Sequence, residues 1–438
     1  MHLFKEHGVR DPHAAAGQIP VIDYGPYFAG APGALERVAA EVAHACENIG
    51  FFYAVNHGVP DELIDRAFAA SRRFHAMPLE QKLPLKLNEN NIGYLPINAS
   101  VQGASTVHKA TKPNQNESFF VSHDRGPEHP DVVAGTLLRG RNQWPAALPG
   151  IRADMMAYFD ALGAMCDRML PPFAVALGLT GDFFAPFFAD EAHAVVRFLH
   201  YPPQETTEDN TFGQAPHTDN SFMTALARTD VPGLAVRLAS GKWFAPPIIP
   251  GTLLINLGNI MRRWSNDRFL STPHGVLNES RTDRYSIAYF HSPNPNAAIE
   301  CVPTCATPGN PPRYPPALYR DLVLEFYRAN YFHQKGHRSA AAQEPRSRVE
   351  VIQNAHCTRC NPNSARQPSI GSLLFAVFAR SSQAATTAAN SFFEGGFPSA
   401  VRHSRSSEEA FAGVTASPVA QATRPKRTTN ATPRISNP

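Results

Sequence analysis

The sequence predicts an α+β, mainly β fold: a closed or double-sheet β core, flanking helices and a disordered C-terminal tail. Three observations lead there. Short apolar strands separated by Pro, Gly, Asn and Asp dominate residues 194–290. Stretches with three- and four-residue apolar spacing lie on both sides of them. Beyond residue 336 both periodicities are lost.

Taken in order, residues 1–17 read as an N-terminal arm. Their polar start, MHLFKEHGVRDPH, lacks the apolar stretch and cleavage site of a secretory signal, so export is not expected. IPVID at 19–23 is a short apolar run. A helix follows from Ala34 to Asn48, then an aromatic strand at 50–55 (GFFYAV), a turn at Asn56-His57-Gly58 and a second helix from Asp61 to His75. Residues 18–125 thus form a mixed N-terminal region. Residues 126–190 connect it to the core through a helix from Ile151 to Leu177.

The core spans 191–295. Within it, Gly233–Leu238 and Lys242–Phe244 flank Ser240-Gly241 as a hairpin with a glycine turn, and Leu253–Leu257 and Tyr285–Phe290 read as strands. A last helix, from Pro315 to Phe332, completes the domain within 296–336, with proline at its start and Gly336 after its end. Residues 337–438 are rich in Ser, Ala, Thr, Pro and Arg and cannot offset the entropy of ordering, so disorder is expected there.

Charge and cysteine usage narrow the function. From His337 onward there are 12 Lys/Arg against 5 Asp/Glu, a charge of +7, which leaves −4 on the rest of a chain whose total is +3. A mildly acidic body without a basic run gives no reason to expect nucleic acid or an anionic membrane as partner, so the expected substrate is a small molecule. The longest clearly apolar run, Leu373–Ala379, falls well short of the roughly 20 residues that span a bilayer. Six scattered cysteines make no disulfide scaffold, so a reduced, cytoplasmic setting is expected. A monomer is expected as well.

The chemistry concentrates in the core. In Ala215-Pro-His-Thr-Asp, His217 and Asp219 stand two apart, and on a strand such residues project to one face about 7 Å apart. With a third ligand they complete a two-histidine, one-carboxylate triad, which leaves open positions on iron(II) and is typical of non-haem oxygenases. The candidate third ligand is His274, in Ser271-Thr-Pro-His-Gly-Val. Among 18 histidines an HxD tripeptide is weak evidence by itself. It gains weight from Arg284-Tyr-Ser286, a second same-face pair placed beyond the polar loop Asn278–Asp283. If a hairpin closes around that loop, Leu277 neighbours Arg284 and the guanidinium sits about 10 Å from His274 at roughly 3.3 Å per residue. That reach suits 2-oxoglutarate, an acid that chelates iron at one end and offers a carboxylate to arginine at the other.

The chain resembles the isopenicillin N synthase-like family of Fe(II)/2-oxoglutarate-dependent oxygenases over nearly all of residues 18–336. The resemblance rests on IPVID (19–23), GFFYAVNHGV (50–59), MPLEQK (77–82), NESFF (116–120), LHYPP (199–203), PHTDNSFMTAL (216–226), VPGLAVR (231–237), and HGVLN with RYS between 274 and 286. It implies a distorted double-stranded β-helix, or jelly roll. It also implies His217, Asp219 and His274 as iron ligands, Arg284 and Ser286 on the distal carboxylate of 2-oxoglutarate, and Tyr201 as a further contact. The implied reaction uses O2 to hydroxylate, desaturate or cyclise a small molecule, releasing succinate and CO2. Two alternatives stay open: an ethylene- and succinate-forming enzyme, and an oxidase of the isopenicillin N synthase type that needs no 2-oxoglutarate. A binding module without metal is disfavoured, because nothing physical would keep three unsatisfied ligand groups converging.

Leu199 stands where many relatives have asparagine near the oxoacid, and Asn259 where plant members often have aspartate. His57 is expected to be a turn residue satisfied by backbone. His291 falls at a strand end, and Trp243 and Trp264 belong to the core. The segments 90–105 and 115–120 are plausible pocket walls, and the substrate itself has no readable code.

Overall fold

Period-two alternation in the core strands sets up two layers, one face of each strand meeting helices and the other meeting a second sheet. The computed structural model describes residues 19–334, except 104, 106, 109, 205–209 and 278–279. The arm expected at 1–17 and the tail expected at 337–438 lie outside the described residues.

In chain order the main strands are β1 (Val21–Asp23), β2 (Phe51–Val55), β3 (Gly93–Leu95), β4 (Glu117–Ser122), β5 (His193–Tyr201), β6 (Gln214–His217), β7 (Met223–Arg228), β8 (Leu234–Arg237), β9 (Trp243–Phe244), β10 (Leu253–Leu257), β11 (His274–Val276) and β12 (Arg284–Ser292). An eight-stranded sheet runs β1-β2-β10-β7-β12-β5-β4-β3, and a four-stranded sheet runs β6-β11-β8-β9. The longer helices are α1 (Ala34–Asn48), α2 (Asp61–His75), α3 (Ile151–Ala176) and α4 (Tyr319–Asn330).

Phe52 and Ala54 of β2, Val196 and Phe198 of β5, Ile255 of β10 and Ile287 and Tyr289 of β12 pack with Val38, Val42, Phe74, Phe159 and Phe173 of the helices. Their sequence neighbours face the other way. Phe51, Tyr53, Leu199, Tyr201, Leu254 and Ala288 meet Leu234, Val236, Phe244 and Val276 of the small sheet. The two sheets therefore close face to face as a distorted double-stranded β-helix. Each large side chain so buried contributes about 1.5–3 kcal/mol, and a one-residue slip would turn every one to the wrong layer. This is why strands such as β5, buried along its whole length, hold one register.

The helices expected at 34–48 and 61–75 form with those bounds, and β8 and β9 form the glycine-turn hairpin, with Val236 opposite Phe244. Two expectations are corrected. The last helix begins at Tyr319 and not at Pro315, because Ala317–Leu318 instead pairs with Ala298–Ile299 as a short antiparallel ribbon. The hairpin drawn around 278–283 does not form: β11 pairs with β6 and β8, whereas β12 pairs with β5 and β7. β11 and β12 thus belong to different sheets, and β12 joins the large one because both its faces are buried, with Ile287 and Tyr289 under the helices that cover that sheet. Among the described residues no helix is long and apolar enough to cross a membrane.

Candidate metal centre

His217 closes β6 and His274 opens β11, and the two are direct partners across the ladder. Their rings lie 4.4 Å apart between centroids. Asp219 follows two residues after His217, beyond the end of the strand. Its loop is held where the chain leaves β10: Asn259 N–H donates to Asp219 O at 2.8 Å and Ile260 N–H to Ser221 O at 3.2 Å. Gly258 allows this approach, since a Cβ there would lie 2.1 Å from Ser221 O.

The side chains then converge. Asp219 Oδ1 is 3.5 Å from His217 Nε2 and 3.7 Å from His274 Nε2, and one ligand atom from each residue fits within 4.8 Å of the others. Each imidazole is aimed by its far nitrogen: His217 Nδ1 faces Ala215 O at 2.9 Å and His274 Nδ1 faces Thr272 O at 3.1 Å. A carbonyl only accepts, so Nδ1 carries the proton and Nε2 keeps a lone pair for a metal. Burial pushes the His274 pKa down to about 4, so the ring is neutral at pH 7. Burial alone would raise Asp219, but His274, His217 and the Asn256 amide outweigh it and hold the carboxyl well below its usual range. Asp219 Oδ2 accepts from Thr224 Oγ1 at 2.7 Å and from Asn256 Nδ2 at 2.8 Å, which leaves Oδ1 for the ion.

The same cavity is lined by Arg284, Ser286, Tyr201 and Leu199. Arg284 and Tyr201 are partners between β12 and β5, and the guanidinium lies 4.6 Å from the Tyr201 ring centre. Arg284 is 2 % exposed, yet its Nε and Nη1 have no hydrogen-bond partner among the described residues. Its neighbour Gly233 has φ +148°, and a Cβ there would sit 2.5 Å from Leu277 O and 3.2 Å from Arg284 Nε, so only glycine leaves room for the guanidinium. A buried guanidinium that is only partly hydrogen-bonded is costly without a counter-charge. The donor set of two imidazoles and one carboxylate fits iron(II), and the open arginine fits the far carboxylate of an oxoacid bound to it.

Other residues singled out from the sequence fall as follows. His57 is buried and its Nδ1 accepts from Val59 N–H at 3.2 Å, a turn residue satisfied by backbone. His291 does not border the cavity. It lies on the helix-facing side of β12, stacked on Phe188 at 4.8 Å and 3.1 Å from Asp167. Asn259 Nδ2 donates to Thr218 Oγ1 at 3.2 Å, and Trp243 and Trp264 are core. From the segments expected to wall a pocket, Gln102 and Phe120 do line one. Sequence reasoning missed Thr224 and Asn256, whose signal lies only in the tertiary contact. It also missed Arg197, whose signal was present: a lone cation in the apolar run Ala194-Val-Val-Arg-Phe-Leu, on the same strand face as Leu199 and Tyr201.

Residues 19–147 match the family described as non-haem dioxygenase in morphine synthesis N-terminal, and residues 191–293 match the 2OG-Fe(II) oxygenase superfamily. A 2-oxoglutarate-Fe(II) type oxidoreductase of Emericella nidulans is 33% identical over 336 residues, covering 75% of this chain and 95% of that protein. The full-length T7H of Neurospora crassa in complex with alpha-KG superposes with a TM-score of 0.62 at 26% identity, covering 70% of this chain and 95% of its own. JOX2 in complex with 2OG, Fe and JA gives a TM-score of 0.59 at 29% identity, over 70% and 84% of the two chains. On this fold, this ligand geometry and these likenesses, the chain belongs to the 2OG-Fe(II) oxygenase superfamily of non-haem iron, 2-oxoglutarate-dependent oxidoreductases.

Proposed function

We propose that His217, Asp219 and His274 hold the iron(II), that Arg284 and Ser286 bind the far carboxylate of 2-oxoglutarate with Tyr201 as a further contact, and that the chain hydroxylates, desaturates or cyclises a small molecule. The observation that carries these assignments is one cavity holding both a converging His-Asp-His set and the buried guanidinium of Arg284, whose Nε and Nη1 have no hydrogen-bond partner among the described residues. When bound, iron(II) with 2-oxoglutarate and O2 supplies the oxidising power, with succinate and CO2 as co-products.

The chain's own residues bind and orient. Backbone carbonyls at Ala215 and Thr272 aim the two Nε2 atoms, and Thr224 with Asn256 fixes which carboxylate oxygen meets the metal. Arg284 offers its planar fork to the oxoacid and Ser286, two residues along the same strand face, offers a hydroxyl. Leu199, Leu226, Val276 and Ala288 line the rest of the cavity and keep it dry around the reacting groups. Every group comes from one chain, which supports action as a monomer. Free thiols at Cys46, Cys166, Cys301 and Cys305 support a reducing, cytoplasmic setting.

Anaerobic titration tests the assignment. Adding 2-oxoglutarate to the iron(II)-loaded protein is expected to give a weak visible metal-to-ligand charge-transfer band. Arg284→Ala is expected to raise the 2-oxoglutarate concentration needed for it on the order of 100-fold, the scale for removing one partner of a buried charge pair, with iron affinity retained. Wild-type protein that binds iron but shows no band overturns the co-substrate assignment.

A further inference from the structure

A second cavity shares His217, Asp219, Arg197 and Phe290 with the first, and its further walls include Phe120, Phe326, Tyr327 and Tyr331. Aromatic walls beside a metal site suit the apolar body of a substrate. The unexplained member is Arg197. It lies in the middle of β5, is 7% exposed, and faces the inner layer with Leu199 and Tyr201.

Its partners are all neutral. Nε donates to Ser118 Oγ at 2.9 Å and Nη2 to Asn116 Oδ1 at 2.9 Å, both from β4 or the residue preceding it. Asn116 is itself fixed by donating to Gly213 O at 2.6 Å and to Gln214 Oε1 at 3.0 Å. The guanidinium passes 5.0 Å from the Phe120 ring centre. Among the described residues no carboxylate forms an ion pair with it, and none accepts from Nη1. Two of its three nitrogens are thus clamped and the third is left toward the cavities. Of the two histidines on this wall, His217 belongs to the candidate metal centre, and His193 is 3.5 Å from Tyr327 Oη, where burial drops its pKa to about 3, so it stays neutral. Arg197 is then the one fixed cation among the described residues lining the second cavity.

A buried guanidinium held only by neutral acceptors is expensive unless an anion completes it, and its fork matches a carboxylate. We propose that the second cavity seats the primary substrate, that Arg197 binds its carboxylate, and that the substrate is a small monocarboxylic acid with a flat, apolar body packed among the aromatic rings. This rests on the placement of iron at His217, Asp219 and His274, and it gives the two arginines separate roles, Arg284 holding the co-substrate and Arg197 the substrate.

The test is calorimetric titration of the purified full chain, metal-free and then with iron(II) and 2-oxoglutarate without oxygen. The probes are benzoate, phenylacetate and 3-phenylpropanoate against benzamide, phenylacetamide and 3-phenylpropanamide. At least one acid is expected to bind and its amide to bind at least about tenfold more weakly. Arg197→Gln is expected to weaken the acid by about 10- to 100-fold, the scale of a lost charged hydrogen bond, and Arg197→Lys to recover part of it. A wild-type 2-oxoglutarate band in Arg197→Gln reports an intact fold. A merely structural Arg197 would lower the melting temperature and leave the acid-over-amide ratio unchanged, which overturns the proposal, as does equal binding of amides or binding of no acid. If the wild type shows no 2-oxoglutarate band, the co-substrate assignment has failed instead, and the metal-free titration still decides for Arg197.

Discussion

At Asp219 the two carboxylate oxygens have different partners. Oδ2 is taken by Thr224 and Asn256, and Oδ1 faces both imidazoles. A carboxylate free to rotate would lose entropy on binding the ion, so these donors prepare it in advance. Asn256→Ala is therefore expected to weaken iron(II) binding by about 10- to 100-fold, read by competition with a chromophoric chelator. A change under twofold would show that Thr224 alone orients the carboxylate. Arg284 and Arg197 make the corresponding point for cations: both are buried, and both face cavities with hydrogen-bonding capacity left over.

At the scale of elements, β4 serves two layers at once. Its inward Ser118, with Asn116 just before the strand, holds Arg197, while Glu117 between them points the other way into a buried charged cluster. Glu117 meets Lys82 Nζ at 2.9 Å, His200 Nδ1 at 2.8 Å and the Tyr94 hydroxyl, so it ties β3 and β5 and the segment after α2 to β4. Burial would raise Glu117, but hydrogen bonds from His200, Lys82 and Tyr94 and the charge of His75 hold its pKa at about 2. The folded value lies below the unfolded value of about 4.3, so this stabilisation is present above that pH and is lost as pH falls toward 2. Glu117→Gln should cost about 3 kcal/mol at pH 7, with the deficit shrinking between pH 5 and 2. Urea unfolding across that range checks it, and a deficit independent of pH would count against the cluster.

For the whole molecule, every group assigned to the site lies within residues 19–334, which carry the core, the candidate metal centre and both cavities. A chain ending after Gly336 is accordingly expected to keep the wild-type melting temperature and iron-dependent oxygen uptake. A fall in melting temperature of several degrees would show that the segment beyond 336 contributes to stability, since about 1 kcal/mol shifts a large domain by 2–4 °C.

The helices at 34–48 and 61–75, the alternation that splits the β strands between two layers, and the candidates His217, Asp219, His274, Arg284 and Ser286 were legible in the sequence alone, because periodicity and ligand chemistry are local properties. Only the tertiary structure decided what joins them. His274 and Arg284 are ten residues apart and sit in opposite sheets, Thr224 and Asn256 reach Asp219 from two other strands, and Arg197 is completed by Asn116 and Ser118 from about 80 residues away. Strand pairing at long separation sets these distances, and no local pattern encodes which strand becomes the neighbour.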